Sequence, residues 1–332
     1  MFYKVNFNYL LLVVSLLLLL NTKITQAQNA IMKLEKDSTE LSPKKTNFMR
    51  RMFAKGFAVL PVAFYSPETR FGAGLTGFYY FRLKKDSITR PSSINLVAIY
   101  TQNKQLIFQA PFQVAFNQNK SILEGEVGVF RYPFRFYGVG NEIDNKEFEF
   151  YESDILRVKT IFYKKVGAKT FIGPRLRYEQ QRMRSFESGK KLETQNFLGK
   201  EGGRVFGLGG SLLIDRRNNI FTPTKGEYLN LTTYASVSSF VSDYNLTESV
   251  LDVRKYFPVG KTSIATQLYL QYQTGDVPFF MLAEMGGNRR MRGFFQGIYR
   301  DKVFTTVQTE WRFPLFWRLG AVAFGSVGQV ND

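Results

Sequence analysis

The sequence predicts an all-β protein, a transmembrane antiparallel β-barrel of about 13 strands with one long loop folded into its lumen. Three observations carry this expectation. Apolar and polar residues alternate with period two over most of the chain from Gly56 onward. The alternating segments run to roughly 10–13 residues, longer than the usual strand of a soluble protein and long enough to cross an outer membrane at a tilt. Short and long connections alternate, as in a barrel with tight turns on one side and large loops on the other.

Composition removes most enzyme classes. The chain has 332 residues, no Cys, no His, 16% aromatic residues and a formal charge of +18. Thiol nucleophiles, Ser-His triads, imidazole bases and His- or Cys-ligated metal sites are therefore excluded. Carboxylates remain, and Glu124 and Glu126 share one strand face. Without a nucleophile or metal partner, such a pair reads as charge balance inside a lumen. No enzymatic activity, cofactor or metal is expected.

The N-terminus sets the compartment. Lys4 precedes the apolar run Tyr9 to Leu20, and Thr25-Gln26-Ala27 follows as a small-residue cleavage site. The run is too short for a membrane-spanning helix, so residues 1–27 read as a signal peptide. Residues 28–55 are polar and lack periodicity, and read as a short periplasmic segment. The barrel is expected over 56–332, integral to the bacterial outer membrane.

The expected strands are 57–65, 71–83, 93–102, 105–117, 121–131, 155–165, 169–181, 204–215, 226–238, 244–257, 261–274, 303–313 and 319–330. In the fifth, Leu123, Val127 and Val129 oppose Glu124 and Glu126. In the seventh, Leu176 and Tyr178 oppose Arg175, Arg177 and Glu179. The ninth sets Leu229, Leu231, Thr233, Ala235 and Val237 against Asn230, Thr232, Tyr234 and Ser236. The eleventh sets Ile264, Leu268, Leu270 and Tyr272 against Gln267, Tyr269, Gln271 and Gln273. In the twelfth, Val303, Val307, Trp311 and Phe313 oppose Gln308, Glu310 and Arg312. A soluble β-sandwich also alternates. Strand length, scarce helical patterns and aromatics near strand ends favour the membrane barrel.

The three longest connections, 132–154, 182–203 and 275–302, all follow odd-numbered strands and so lie on one side. The turns at 117–120, 166–169, 258–261 and 314–318 follow even-numbered strands and are short. This parity fits an N-terminus on the periplasmic side.

Two segments stand out. In DRRNNIFTPTKGEYLNL, Asp215 closes a strand, and Pro223 and Gly226 shape a tight turn because proline presets one backbone angle and glycine permits a positive one. In MGGNRRMRGFFQGIYRDK, Arg289, Arg290 and Arg292 supply planar donors and Gly293 lets the chain bend before Phe294 and Phe295. The next strand carries Glu310 and Arg312 on its polar face. A carboxylate there needs water or a partner, and an arginine fork can bind it in a bidentate way. Arg292 is thus expected to dock on Glu310, against the alternative of a fully solvated basic loop. Nucleic acid is not an expected partner.

The segments DRRNNIFTPTKG, GGNRRMRGFF and TEWRFPLFWRLGAVAFGSVGQV resemble the bacterial surface antigen family of outer-membrane barrels, of the BamA and TamA type. The matches are Asp215, Arg217, Pro223 and Gly226 in the turn; Met291, Arg292, Gly293 and Phe294 at the loop tip; and Glu310, Arg312 and Pro314 at the strand end. The resemblance covers about 200–332. It implies a sixteen-stranded barrel whose tip arginine contacts acidic lumen residues and holds the working state. It also implies outer-membrane proteins or lipids as clients. There are departures. Residues 28–55 leave no room for a POTRA domain, Ser326 stands where the family places an acidic residue, and about three strands are expected beyond Asp332, as if the chain were truncated.

Two functions follow from these expectations. One is an assembly or translocation barrel for proteins or lipids, embedded in outer-membrane lipid and lipopolysaccharide. The other is a passive pore made anion-favouring by Arg157, Lys159, Arg175 and Arg177 on its polar face.

Overall fold

The structure is a computed structural model that describes residues 56–332 apart from 67–69, 84–87, 144–146, 288 and 317–318. The expected leader, 1–27, and the whole of the expected periplasmic segment, 28–55, lie outside the described residues.

Thirteen long strands form one antiparallel sheet among the described residues. They are β1 (Phe57–Ser66), β2 (Arg70–Phe81), β3 (Ser92–Thr101), β4 (Leu106–Phe116), β5 (Ser121–Phe136), β6 (Glu149–Lys165), β7 (Thr170–Phe186), β8 (Gly202–Asp215), β9 (Gly226–Ser236), β10 (Leu246–Val259), β11 (Thr262–Gly275), β14 (Val303–Pro314) and β15 (Gly320–Asn331). Each pairs with its neighbour in sequence, except that β11 pairs directly with β14. The two strands between them, β12 (Ala283–Glu284) and β13 (Arg300–Asp301), form a separate small ribbon inside the long loop.

The period-two pattern decides which residues face which way. Leu75, Leu96, Phe162, Leu208, Leu231, Leu268, Val307 and Trp311 are exposed on the outer face, whereas Tyr163, Glu179, Tyr234, Gln273 and Phe304 are buried on the inner one. A continuous apolar exterior over a polar interior is the inverse of a water-soluble sheet, and it fits a wall bathed in lipid. Among the described residues β1 and β15 are not paired with each other, so the sheet is an open wall. The connection after β5 reaches across to β15: the Asn141 side-chain amide donates to the Val330 carbonyl, and the Val330 N–H donates to Asn141 Oδ1 at 3.3 Å.

Strand bounds depart from expectation in one region. β5, β6 and β7 extend to 16, 17 and 17 residues. The connections expected at 132–154 and 182–203 shrink accordingly. The added residues include Phe136, Tyr151 and Phe186, whose side chains pack into an apolar cluster inside the loop end of the wall. Membrane thickness therefore does not set the length of these strands. Their upper parts are held by packing against the loop between β11 and β14.

Candidate functional site

The loop from 276 to 302 is fixed to the inner face at three levels. At its start, Phe279 is 2% exposed and packs edge-to-face on Phe136 at 5.6 Å and Tyr151 at 5.4 Å between ring centroids. Leu192, Val205, Tyr244, Met281 and Leu282 belong to the same apolar cluster. Edge-to-face pairs contribute roughly 0.5–1.5 kcal/mol each beyond area burial.

The second level is the β12–β13 ribbon. Arg300 is 1% exposed and lies opposite Glu284 in register, with Nη2 to Oε1 at 3.4 Å. The same nitrogen donates to the Arg135 carbonyl at 3.1 Å, and the guanidinium stands 5.3 Å from the Phe136 ring. A buried cation persists only when paired and hydrogen-bonded, so Arg300 ties the ribbon to the top of β5.

The third level holds the motif residues. Arg292 Nη2 donates to Glu310 Oε1, and Arg312 Nε donates to Glu310 Oε2 at 2.7 Å. One carboxylate thus accepts from two guanidinium groups, one on the loop and one on the wall. Arg312 Nη1 also donates to the Pro223 carbonyl at 3.4 Å, which connects this pair to the turn between β8 and β9. The Arg292 guanidinium lies 4.1 Å over the Phe324 ring on β15, and Phe324 is the direct register partner of Glu310. Ser326, the position compared with the family's acidic residue, pairs instead with Gln308. Ser326 brings no second carboxylate to Arg292; the Phe324 ring, two residues away on the same strand, attracts the same cation through its ring quadrupole.

Gly293 has φ +106, and a Cβ there would meet nothing within 4 Å. Its role is backbone conformation rather than close approach. Phe294 is half exposed and closes a turn by donating its N–H to the Met291 carbonyl at 3.2 Å, while Arg135 covers the Phe295 ring at 4.5 Å. Met291 is buried with Tyr269, Phe304 and Val330.

In the turn, Arg217 grips Asp215 with both arms of its fork, Nε to Oδ1 at 2.9 Å and Nη2 to Oδ2 at 2.7 Å. This pairing raises the Arg217 guanidinium further above its ordinary value. The Tyr228 ring is covered by Arg217 at 4.6 Å and Arg254 at 5.1 Å. Gly226 has φ +108, and a Cβ there would fall 2.3 Å from the Arg216 carbonyl oxygen. Gly226→Ala should therefore cost about 1–3 kcal/mol from strain and clash. Urea unfolding measures this, and an unchanged midpoint would count against a strained turn.

The inner face beneath the loop carries a dense ion network. Arg157 and Arg177 both bind Glu179, at 2.9 and 3.0 Å, and Arg177 and Arg175 approach Glu248 at 3.0 and 3.6 Å. Gln273 Nε2 donates to Glu248 at 3.0 Å and to the Met281 carbonyl at 2.8 Å, which joins the network to the loop. Glu124 and Glu126 accept from Gln113 and Gln109. The arginines expected to give an anion-favouring lumen are thus matched by carboxylates on the same face.

Residues 90–332 match the Omp85 superfamily domain. The chain belongs to the Omp85 superfamily. BamA from Haemophilus ducreyi lacking POTRA domains 1–3 is similar in structure at a TM-score of 0.56 and 14% sequence identity, over 83% of this chain and 57% of that one. CdiB from Acinetobacter baumannii superposes at a TM-score of 0.49 and 12% identity, over 83% of this chain and 49% of that one. This chain therefore spans less than two thirds of either, and likeness at such identity is one of fold. A comparison with curated proteins returns no match.

Within this Omp85 wall the structure brings Arg292, Glu310, Arg312 and Pro223 into one chain of contacts. Gly293 and Phe294 shape the tip beside it, and Asp215, Arg217 and Gly226 shape the turn below. Arg292→Ala removes one of two donors to Glu310 and should destabilise the folded protein by about 2 kcal/mol while loosening the loop. Arg290 stacks on Tyr269 at 4.0 Å and makes no ion pair among the described residues, so Arg290→Ala should cost about 0.5–1 kcal/mol. Limited proteolysis within the loop distinguishes the two variants, and equal sensitivity would contradict a specific Arg292 contact.

Proposed function

We propose that the chain serves as an outer-membrane barrel of the assembly or translocation type, aiding insertion or export of proteins or lipids. The loop between β11 and β14 acts in it as an internal latch. The observation that carries this reading is the loop tip pinned to Glu310 within the polar interior, with the pin extended through Arg312 to the turn at Pro223. A latch of this kind joins loop, wall and turn, so movement of one is felt by the others. In this proposal residues 1–27 direct export, 28–55 form a short periplasmic lead, and the apolar outer face meets outer-membrane lipid and lipopolysaccharide.

A passive anion-favouring pore has less support. Such a pore needs an open path with unbalanced positive charge, whereas the loop occupies the interior and Glu179 and Glu248 offset the arginines around them. Depletion of the protein in its native cell tests the proposal. Other outer-membrane proteins or surface lipids are expected to fall, and an unchanged outer-membrane composition would sink the assembly reading. Steady anion-selective current through the purified chain in a planar bilayer would instead favour the pore.

A further inference from the structure

We propose that the cavity on the turn side of the docked loop binds a phosphate group, held by Arg289 and Arg290. Five arginines line this cavity of about 460 Å³, namely Arg254, Arg289, Arg290, Arg292 and Arg312, against two carboxylates, Asp252 and Glu310. Both carboxylates are already committed. Arg254 forks Asp252, with Nε to Oδ1 at 2.9 Å, while Arg292 and Arg312 share Glu310. Arg289 and Arg290 make no ion pair among the described residues. The Arg289 carbonyl accepts from Gln308 Nε2 at 3.0 Å, and Arg290 presents one guanidinium face to Tyr269. Their N–H donors are therefore available to a ligand.

Five arginines against two carboxylates that are already paired, in a recess bounded by the wall and the loop, raise the local positive potential. The group that best offsets them carries more than one negative charge and several oxygens able to accept planar forks, which describes phosphate better than chloride or a single carboxylate. The source is either a phospholipid or lipopolysaccharide headgroup or a soluble phosphate. The site does not depend on the assembly reading, because a pore with this interior would bind the same group.

The test uses the full chain folded in a zwitterionic detergent. Inorganic phosphate is titrated at constant ionic strength against chloride, and binding is read by calorimetry and by the thermal unfolding temperature. Phosphate should bind and raise that temperature, and chloride should not. Arg289→Gln with Arg290→Gln should weaken binding about tenfold or more, whereas Arg182→Gln, on an exposed part of β7, should leave it unchanged. Cold-gel mobility verifies folding. Were the double variant to fail to fold, Arg289→Gln alone carries the test, because its backbone contact survives. An equal response to chloride, or undiminished binding by the variant, would overturn the proposal. Displacement of phosphate by a lower concentration of short-chain phosphatidylglycerol identifies a lipid headgroup as the source, and its failure to displace identifies a soluble phosphate.

Discussion

Glu310→Ala is expected to release the loop tip from the inner face and to lower the stability of the folded protein by about 3 kcal/mol, because the half-buried carboxylate accepts charged hydrogen bonds from two guanidiniums. The loss exceeds that of Arg292→Ala because two guanidiniums, Arg292 and Arg312, lose their common acceptor at once. Arg312 would keep its 3.4 Å contact with the Pro223 carbonyl, so the turn should remain formed while the loop is freed. Glu310→Gln retains shape and one acceptor oxygen, and should fall between the wild type and the Ala variant. Urea unfolding of the detergent-folded chain, with limited proteolysis at the loop, measures both effects. An unchanged midpoint together with an undigested loop would show that Glu310 anchors nothing.

Phe279→Ala should cost about 3–5 kcal/mol, the usual penalty for emptying a well-packed aromatic site. The ring contacts Phe136, Tyr151, Phe197 and Phe280, and these come from β5, β6, the connection after β7 and the loop itself. Those neighbours are held by strands on several sides and cannot close the gap fully. Because this cluster sits at the loop end and Glu310 sits deeper, the two losses should be nearly additive if the loop is held independently at each. Strong non-additivity would mean that the loop docks as one cooperative unit. Hydrogen exchange at 279–285 and 289–295 in each variant separates local release from global loosening.

The sequence made the wall legible because every strand carries its face assignment in alternate residues. All thirteen long strands are readable for that reason, and so is the turn shaped by Pro223 and Gly226. The heights of β5, β6 and β7 were not legible. Phe136 and Tyr151 extend the alternation past the membrane-length segment, but what rewards the extension is Phe279, more than a hundred residues away in sequence. The β12–β13 ribbon was also hidden, since a pair of two-residue strands has no period to detect. Nothing in the sequence separates Arg300 from the other basic residues of the loop, and its burial is visible only once Glu284 lies opposite it.

At the site, the chemistry of Arg292 and Glu310 suggested a pair from residue type alone. Arg312 is readable in the sequence as a neighbour of Glu310, and its sharing of that carboxylate depends on the two side chains lying on one face, two residues apart in β14. Phe324 carries no signal in the sequence, because its contact with Arg292 depends on the β14–β15 register. The register places Phe324 directly beside Glu310, so Arg292 meets a ring there, while Ser326, the position compared with the family's acid, lies opposite Gln308.

The docked loop tip is tested most directly by a double-mutant cycle on Arg292 and Glu310. Unfolding free energies of the wild type, Arg292→Ala, Glu310→Ala and the double variant are measured under one set of conditions. A coupling energy of about 1–3 kcal/mol, with the double variant scarcely worse than Glu310→Ala, is the result expected of a direct contact. Strictly additive losses would contradict the contact, and with it the latch on which the proposed function rests.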